Sequence, residues 1–127
     1  MSNHLKKSNP CTIHPPGPYT HVVRYNNMIF LSGQVGFKPD GSIDKDAESQ
    51  AMQVFRNIEA CLASEGATLD DLIKLTIIAV GSESKAGAAK ARDHFLKDRY
   101  PACTFIVVPE LYLPEYLVEV EAIAALP

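Results

Sequence analysis

"LVEVEAIA", Leu117–Ala124, places two glutamates inside an otherwise apolar run close to the C-terminus. Successive side chains of a strand point to opposite faces. Val118, Val120, Ala122 and Ala124 therefore share one face, while Glu119 and Glu121 share the other, about 6.5–7 Å apart along the strand. The valine and alanine face reads as core. The other face sets two like charges beside Leu117 and Ile123, which are too apolar for a fully solvated surface. Such a face belongs at a boundary, and the rest of the chain indicates which one.

Working upstream, "CTFIVV" reads as the preceding strand, and "LIKLTIIAV", Leu72–Val80, as a strand covered on both faces, because it is β-branched and almost continuously hydrophobic. Between them Ala88, Ala91, Arg92, Phe95 and Leu96 form a weak helical stripe, with Gly87 interrupting it and Pro101 marking the stop. From Asp46 to Glu65, apolar residues at Ala51, Val54, Phe55, Ile58, Cys61 and Leu62 fall on one helical stripe, with Asp46 as N-cap and Gly66 as the C′ residue. "HVVRYNNMIFLSGQVGF" predicts two strands, roughly His21 to Tyr25 and Met28 to Ser32, joined by a tight turn at Asn26–Asn27, with "KPDGS" turning the chain afterwards. This order predicts a two-layer α+β domain with a mixed sheet and two helices on one face. Five or six strands with only two helices leave the second face open, so the face holding Glu119 and Glu121 is expected to meet another subunit.

A chain of 127 residues, 46% hydrophobic and 21% charged, suits one globular domain spanning 1–127. Residues 1–18 hold four of the nine prolines and read as an irregular N-terminal arm. No signal-peptide core and no 18-residue apolar run is present, and the three cysteines suit reduced thiols in a cytoplasm. Cys11, Cys61, Cys103 and the four histidines lack metal-ligand spacing, so no metal site is expected. A net charge of −3 without a dense basic face argues against nucleic-acid binding.

The pieces "PPGPY", "IFLSGQVGF", "AESQAMQVFRNIEACLASEGATLDDLIKLTI", "YPA" and "LVEVEAIAAL", in this order and spacing, resemble the RidA family, also called YjgF or L-PSP, from Pro16 to Leu126. The resemblance implies a chorismate-mutase-like fold and a homotrimer with a cleft between each pair of subunits. It also implies hydrolysis of reactive enamines and imines to carbonyl compounds and ammonia, without a cofactor. Carried over by position, Glu121 matches the glutamate that places or activates the attacking water. Tyr19 closes one side of the pocket, and Ser32 and Gly33 present backbone and hydroxyl to the substrate. Of the two carboxylates, Glu121 is expected to be partly desolvated with a raised pKa, and Glu119 to be the solvated or interface-paired member. Plainer readings stand beside these: rim glutamates paired across the trimer, a tyrosine packing the arm, and a hairpin-end turn at Ser32–Gly33.

Two positions depart from the family pattern. Deaminating members carry an arginine directly after "PA" that grips the substrate carboxylate in a bidentate pair, whereas here Cys103 stands in that place, with Phe105 two residues on. A charge-assisted pair of that kind contributes about 1.5–3 kcal/mol, so carboxylate binding weakens roughly 10- to 100-fold or more. The asparagine often found in the second helix is also missing, and Lys90 lies nearby, either as a substitute cation or as a solvated lysine. Cys103 reads more readily as a small buried hydrophobe than as a nucleophile. The expectation is an imine hydrolase with altered substrate preference, Cys103 and Phe105 bordering the substrate. The alternatives are a catalytically inactive trimer that binds a metabolite or regulates a partner, and, further off, a ribonuclease or translation inhibitor.

Overall fold

A computed structural model describes residues 4–127 of the chain. Its elements are β1 (Leu5–Ser8), β2 (Val22–Tyr25), β3 (Met28–Gln34), α1 (Ala47–Ala63), β4 (Leu72–Val80), α2 (Gly81–Leu96), β5 (Ala102–Val108) and β6 (Val118–Ala125), with a short 3-10 turn at Leu69–Asp71. The six strands form one mixed sheet in the order β1-β2-β3-β6-β4-β5, in which β4 and β5 run parallel and every other pair antiparallel. Both helices pack on one face, giving the expected two-layer α+β architecture.

The strand read first occupies the middle of the sheet. On β6, Val118, Val120, Ala122 and Ala124 are at most 2% exposed and meet the helix layer, as the alternation requires. Leu75, Ile77 and Ala79 of β4 are likewise fully buried on that side, and so is the whole α1 stripe of Ala51, Val54, Phe55, Ile58, Cys61 and Leu62. The Asp46 side chain accepts a hydrogen bond from Ser49 N–H at 2.9 Å and starts α1. The helix caps at Ser64, and Gly66 (φ +78°) follows two residues later, letting Ala67 N–H reach Leu62 O.

The interruption at Gly87 has a packing cause. A Cβ there would lie 2.7 Å from the backbone nitrogen of Glu48, so glycine permits α2 to approach the start of α1. Helix α2 ends at Leu96, where Lys97 turns into positive φ (+59°), rather than running on to Pro101.

The N-terminal arm requires a correction. Leu5–Ser8 is not irregular; it pairs antiparallel with β2 as the sixth strand. Three of its four residues are exposed, so it shows no apolar alternation. Backbone pairing holds it, together with the Glu65 carboxylate, which receives Lys6 Nζ at 2.8 Å, Arg24 Nη1 at 3.3 Å and the Ser8 hydroxyl at 3.5 Å. Beyond β1, residues 9–20 do lack regular structure, yet Ile13 and His14 are only 5% and 6% exposed.

Pairing registers place Phe30, Ile123, Glu121, Thr76, Ile78 and Ile106 on the sheet face away from the helices. Phe30 and Ile106 are each 41% exposed, so the described residues leave this face open.

Candidate functional site

Next to the glutamate face lies a cleft of about 680 Å³, bounded by the N-terminal arm at His14–Tyr19, by Ser32–Phe37, and by Tyr112, Tyr116, Glu119 and Glu121. Two buried side-chain amides position its loops. Gln50 at the start of α1 donates to Asp44 O (2.8 Å) and Glu115 O (2.9 Å) and accepts from Leu117 N–H (2.9 Å). Asn57, about two turns further along α1, donates to Val35 O and Phe37 O at 3.2 and 2.9 Å. These bonds satisfy loop carbonyls that no strand partner reaches, and so set Phe37 and Tyr116 against the sheet.

Between Leu31 and Gln34 the β3–β6 register slips, and this irregularity shapes the floor. Ser32 donates its hydroxyl to Thr20 O at 2.5 Å and its N–H to His21 O at 3.0 Å, tying the arm to β3. Gly33 lies against Glu119: a Cβ there would stand 2.1 Å from Glu119 Oε2, so a side chain at this position would displace the carboxylate. The missing side chain leaves the space that the Glu119 carboxylate fills.

That arrangement reverses the expected order of the two acids within the chain. Glu119 is half-buried, and burial, followed by the charge of Glu121, pushes its pKa above the ordinary carboxylate value. Glu121 is exposed. The alternation showed that both share a face; only the packing against Gly33 decides which one loses water. Neither forms a salt bridge or a side-chain hydrogen bond with a described residue.

The wall opposite is a run of rings. Tyr19 meets His21 edge-on at 5.5 Å, His21 meets His14 at 5.0 Å, His14 meets Phe37 at 5.0 Å, and Phe37 meets Tyr116 at 5.5 Å. His21 Nε2–H donates to His14 O at 2.9 Å, leaving Nδ1 to accept from the Gln34 amide at 3.0 Å. His14 donates from Nδ1 to Pro15 O at 3.1 Å, and burial is the main cause that lowers its pKa. Its Nε2 and the Gln34 Oε1 are the two buried side-chain atoms without a partner among the described residues.

The structure thus brings together Tyr19, Ser32, Gly33, Glu119 and Glu121 from the positions singled out in the sequence, and adds His14, Phe37, Tyr112 and Tyr116. Residues His14 and Phe37 carried no periodic signal. Tyr112 and Tyr116 had a weak one, since "ELYLPEYLVEV" leads directly into the glutamates. Cys103 and Phe105 do not join this cleft within one chain. Their partners on β4 are Leu75 and Ile77, which places them on the helix side of the edge strand. Cys103 is exposed, correcting the expectation of a buried hydrophobe, because no strand lies beyond β5. Lys90 stands 3.5 Å from Glu48 at the helix surface. The cation beside Phe105 is Arg92, whose guanidinium lies 5.8 Å from that ring and 5.6 Å from the ring of Tyr100.

A second depression, about 390 Å³, lies between Leu69 and Phe95, with Glu59, His94 and the Asp70–Arg99 ion pair around it. Asp70 and Arg99 there pair with each other at the surface, whereas the larger cleft holds two carboxylates without a salt bridge to a described residue.

A mixed sheet with both helices on one face, and strand carboxylates at a cleft on the other, defines a class of small α+β proteins. The chain belongs to the endoribonuclease L-PSP family, whose family model matches residues 11–126. It is 33% identical over 112 residues to a RutC family protein of Pyrococcus abyssi, covering 87% of each chain. It is 28% identical over 106 residues to the 2-iminobutanoate/2-iminopropanoate deaminase of Dermatophagoides farinae, covering 82% of this chain and 83% of that one. Among solved structures, Escherichia coli TdcF with bound serine superposes with a TM-score of 0.85 at 26% identity, over 95% of this chain and 98% of that one. The deaminase names among its relatives agree with the activity the sequence resemblance implies. Among the described residues, no helix is long and apolar enough to cross a membrane.

Proposed function

We propose that the chain is a hydrolase of enamine or imine C=N bonds, working in the cytoplasm as a homotrimer whose clefts lie between subunits. The observation that carries this reading is the pair of unpartnered carboxylates in the cleft, one exposed and one desolvated. Two like acids in unlike surroundings divide acid and base work. Glu121 takes a proton from water as its oxygen attacks the imine carbon. Glu119, which keeps its proton to higher pH than an ordinary carboxylate, delivers one to the nitrogen. The C–N bond of the resulting carbinolamine breaks, giving a carbonyl compound and ammonia. Tyr19, Ser32 and Gly33 orient the substrate. The uncovered face bearing Phe30 and Ile106 supports association of chains, in which Cys103 and Phe105 of a neighbour would border the cleft.

Purified protein supplied with 2-aminoacrylate generated in situ, and separately with apolar imines, should release ammonia, faster from the apolar class. Glu121→Gln should lower the rate about 100-fold, the lower range for a general base. No ammonia above background from either class, or full activity in Glu121→Ala, overturns the reading. Light scattering at the mass of a monomer would remove the shared cleft.

Cys103 in the arginine position supports a second reading: a trimer that binds a metabolite, or regulates a partner, without turning it over. Thermal stabilisation by a small molecule that the protein leaves unchanged would favour it.

A further inference from the structure

Four aromatic rings, Tyr19, Phe37, Tyr112 and Tyr116, and two carboxylates bound the cleft, and no lysine or arginine is among its lining residues. Tyr112 is 89% exposed at the mouth and Tyr19 is 44% exposed, so ring surface faces the opening rather than the core. Glu119 and Glu121 sit on one strand face, and neither forms an ion pair with a described residue. Ring faces and carboxylates both favour positive charge and N–H donors, and both disfavour a carboxylate.

We infer that this cleft selects ligands whose nitrogen is cationic, an ammonium or iminium group on a flat apolar body, and rejects those bearing a carboxylate. The inference rests on the cleft being the reaction site. It names the substrate class as the iminium ion left when a primary arylalkylamine loses two electrons and two protons' worth of hydrogen to an oxidant. Hydrolysis then balances as R–CH=NH2⁺ plus water giving R–CHO plus NH4⁺. The reaction supplying the substrate is accordingly an amine oxidation rather than elimination from an amino acid. A positive head between Glu119 and Glu121 meets carboxyl oxygens on both sides, and the rings cover the body.

The test is equilibrium binding, by calorimetry or ligand-observed NMR, of three probes with the same ring: phenethylammonium, 2-phenylethanol and 3-phenylpropanoate. Phenethylammonium should bind about tenfold more tightly than the alcohol, the effect of one desolvated ion pair or cation–π contact. The preference should shrink as salt is raised, and 3-phenylpropanoate should bind weakest. Glu119→Gln with Glu121→Gln should erase the tenfold preference and leave alcohol binding in place. Equal affinity for all three probes, or no binding at millimolar concentration, overturns the inference. So does tighter binding of 3-phenylpropanoate, and its loss in Arg92→Leu would identify a neighbouring chain's Arg92 as the cation responsible. Ammonium preference without ammonia release from any imine would leave this inference standing and remove the hydrolase. Ammonia release with carboxylate preference would do the opposite.

Discussion

Glu65 and Glu119 are two shielded glutamates on either side of the same sheet, and the fold treats them in opposite ways. The Glu65 side chain is 2% exposed, but Lys6, Arg24 and Ser8 converge on it. Burial would raise its pKa, and hydrogen bonds from Lys6 and Arg24 together with their charges outweigh that and lower it. Glu119 keeps more contact with water, yet it has no cation and a second carboxylate beside it, and its pKa rises. Burial therefore does not decide what a carboxylate does; its partners do. Where the chain supplies partners, the acid is a clasp fastening an edge strand. Where it withholds them, the acid is left free to exchange protons or hold a ligand.

The contrast can be broken most forcefully at Gly33. Gly33→Ala drives a methyl group into the volume of the Glu119 carboxylate, forcing β3 or the side chain to move. Overpacking of this kind costs about 1–3 kcal/mol. The expected outcome is a lower melting temperature together with loss of ammonia release or of ligand binding, read by calorimetry and the assays above. An alanine variant with wild-type stability and function would mean that Glu119 is not held where Gly33 leaves room for it.

Glu65→Gln comes next in size. It removes the charge that two cations share while keeping the shape, and because Lys6 is 60% exposed the loss is discounted to about 1–2 kcal/mol. At this chain length that lowers the melting temperature by a few degrees, on the order of 3–8 °C. Function should be unchanged, since the clasp lies away from the cleft. Hydrogen exchange should show β1 opening before the rest of the sheet. If β1 stays as protected as β6, the clasp is not what fastens it.

The parts of the fold that were legible in the sequence are those governed by burial. On β6, β4 and α1 every second, or every third and fourth, residue faces the core, and that leaves a period in the chain. Strand β1 leaves none. Two of its four residues are charged, three are exposed and all pair through the backbone, and its clasp is 57 and 59 residues away at Glu65. The site divides in the same way. Glu119 and Glu121 could be read as one face because β6 alternates, and Tyr19, Ser32 and Gly33 through resemblance to a family. Phe37 and Tyr116 reach the cleft on loops fixed by the amides of Asn57 and Gln50, interactions with no periodicity of their own. The relative burial of the two acids depends on a register slip at Ser32–Gly33 that only the paired strands reveal.

The smallest expected effect sharpens the comparison best, because it is a difference in sign. A raised folded-state pKa means that the native protein holds the Glu119 proton more tightly than the unfolded chain does. Its contribution is fully present below the ordinary value of 4.5 and is lost as pH rises through the folded value. Glu119→Gln, neutral throughout, should match the wild type near pH 4 and exceed it in melting temperature by pH 8. For Glu65 the pKa is lowered, so its contribution is present above 4.5 and is lost as pH falls through the folded value. Glu65→Gln should therefore be less stable than the wild type at pH 8, and the gap should narrow in acid. Plotted as variant minus wild type against pH, the two curves should open in opposite directions from a common acid origin. Two curves opening the same way would show that partners do not separate these acids, and the division of the molecule into a fastened side and a reactive side would fail with it.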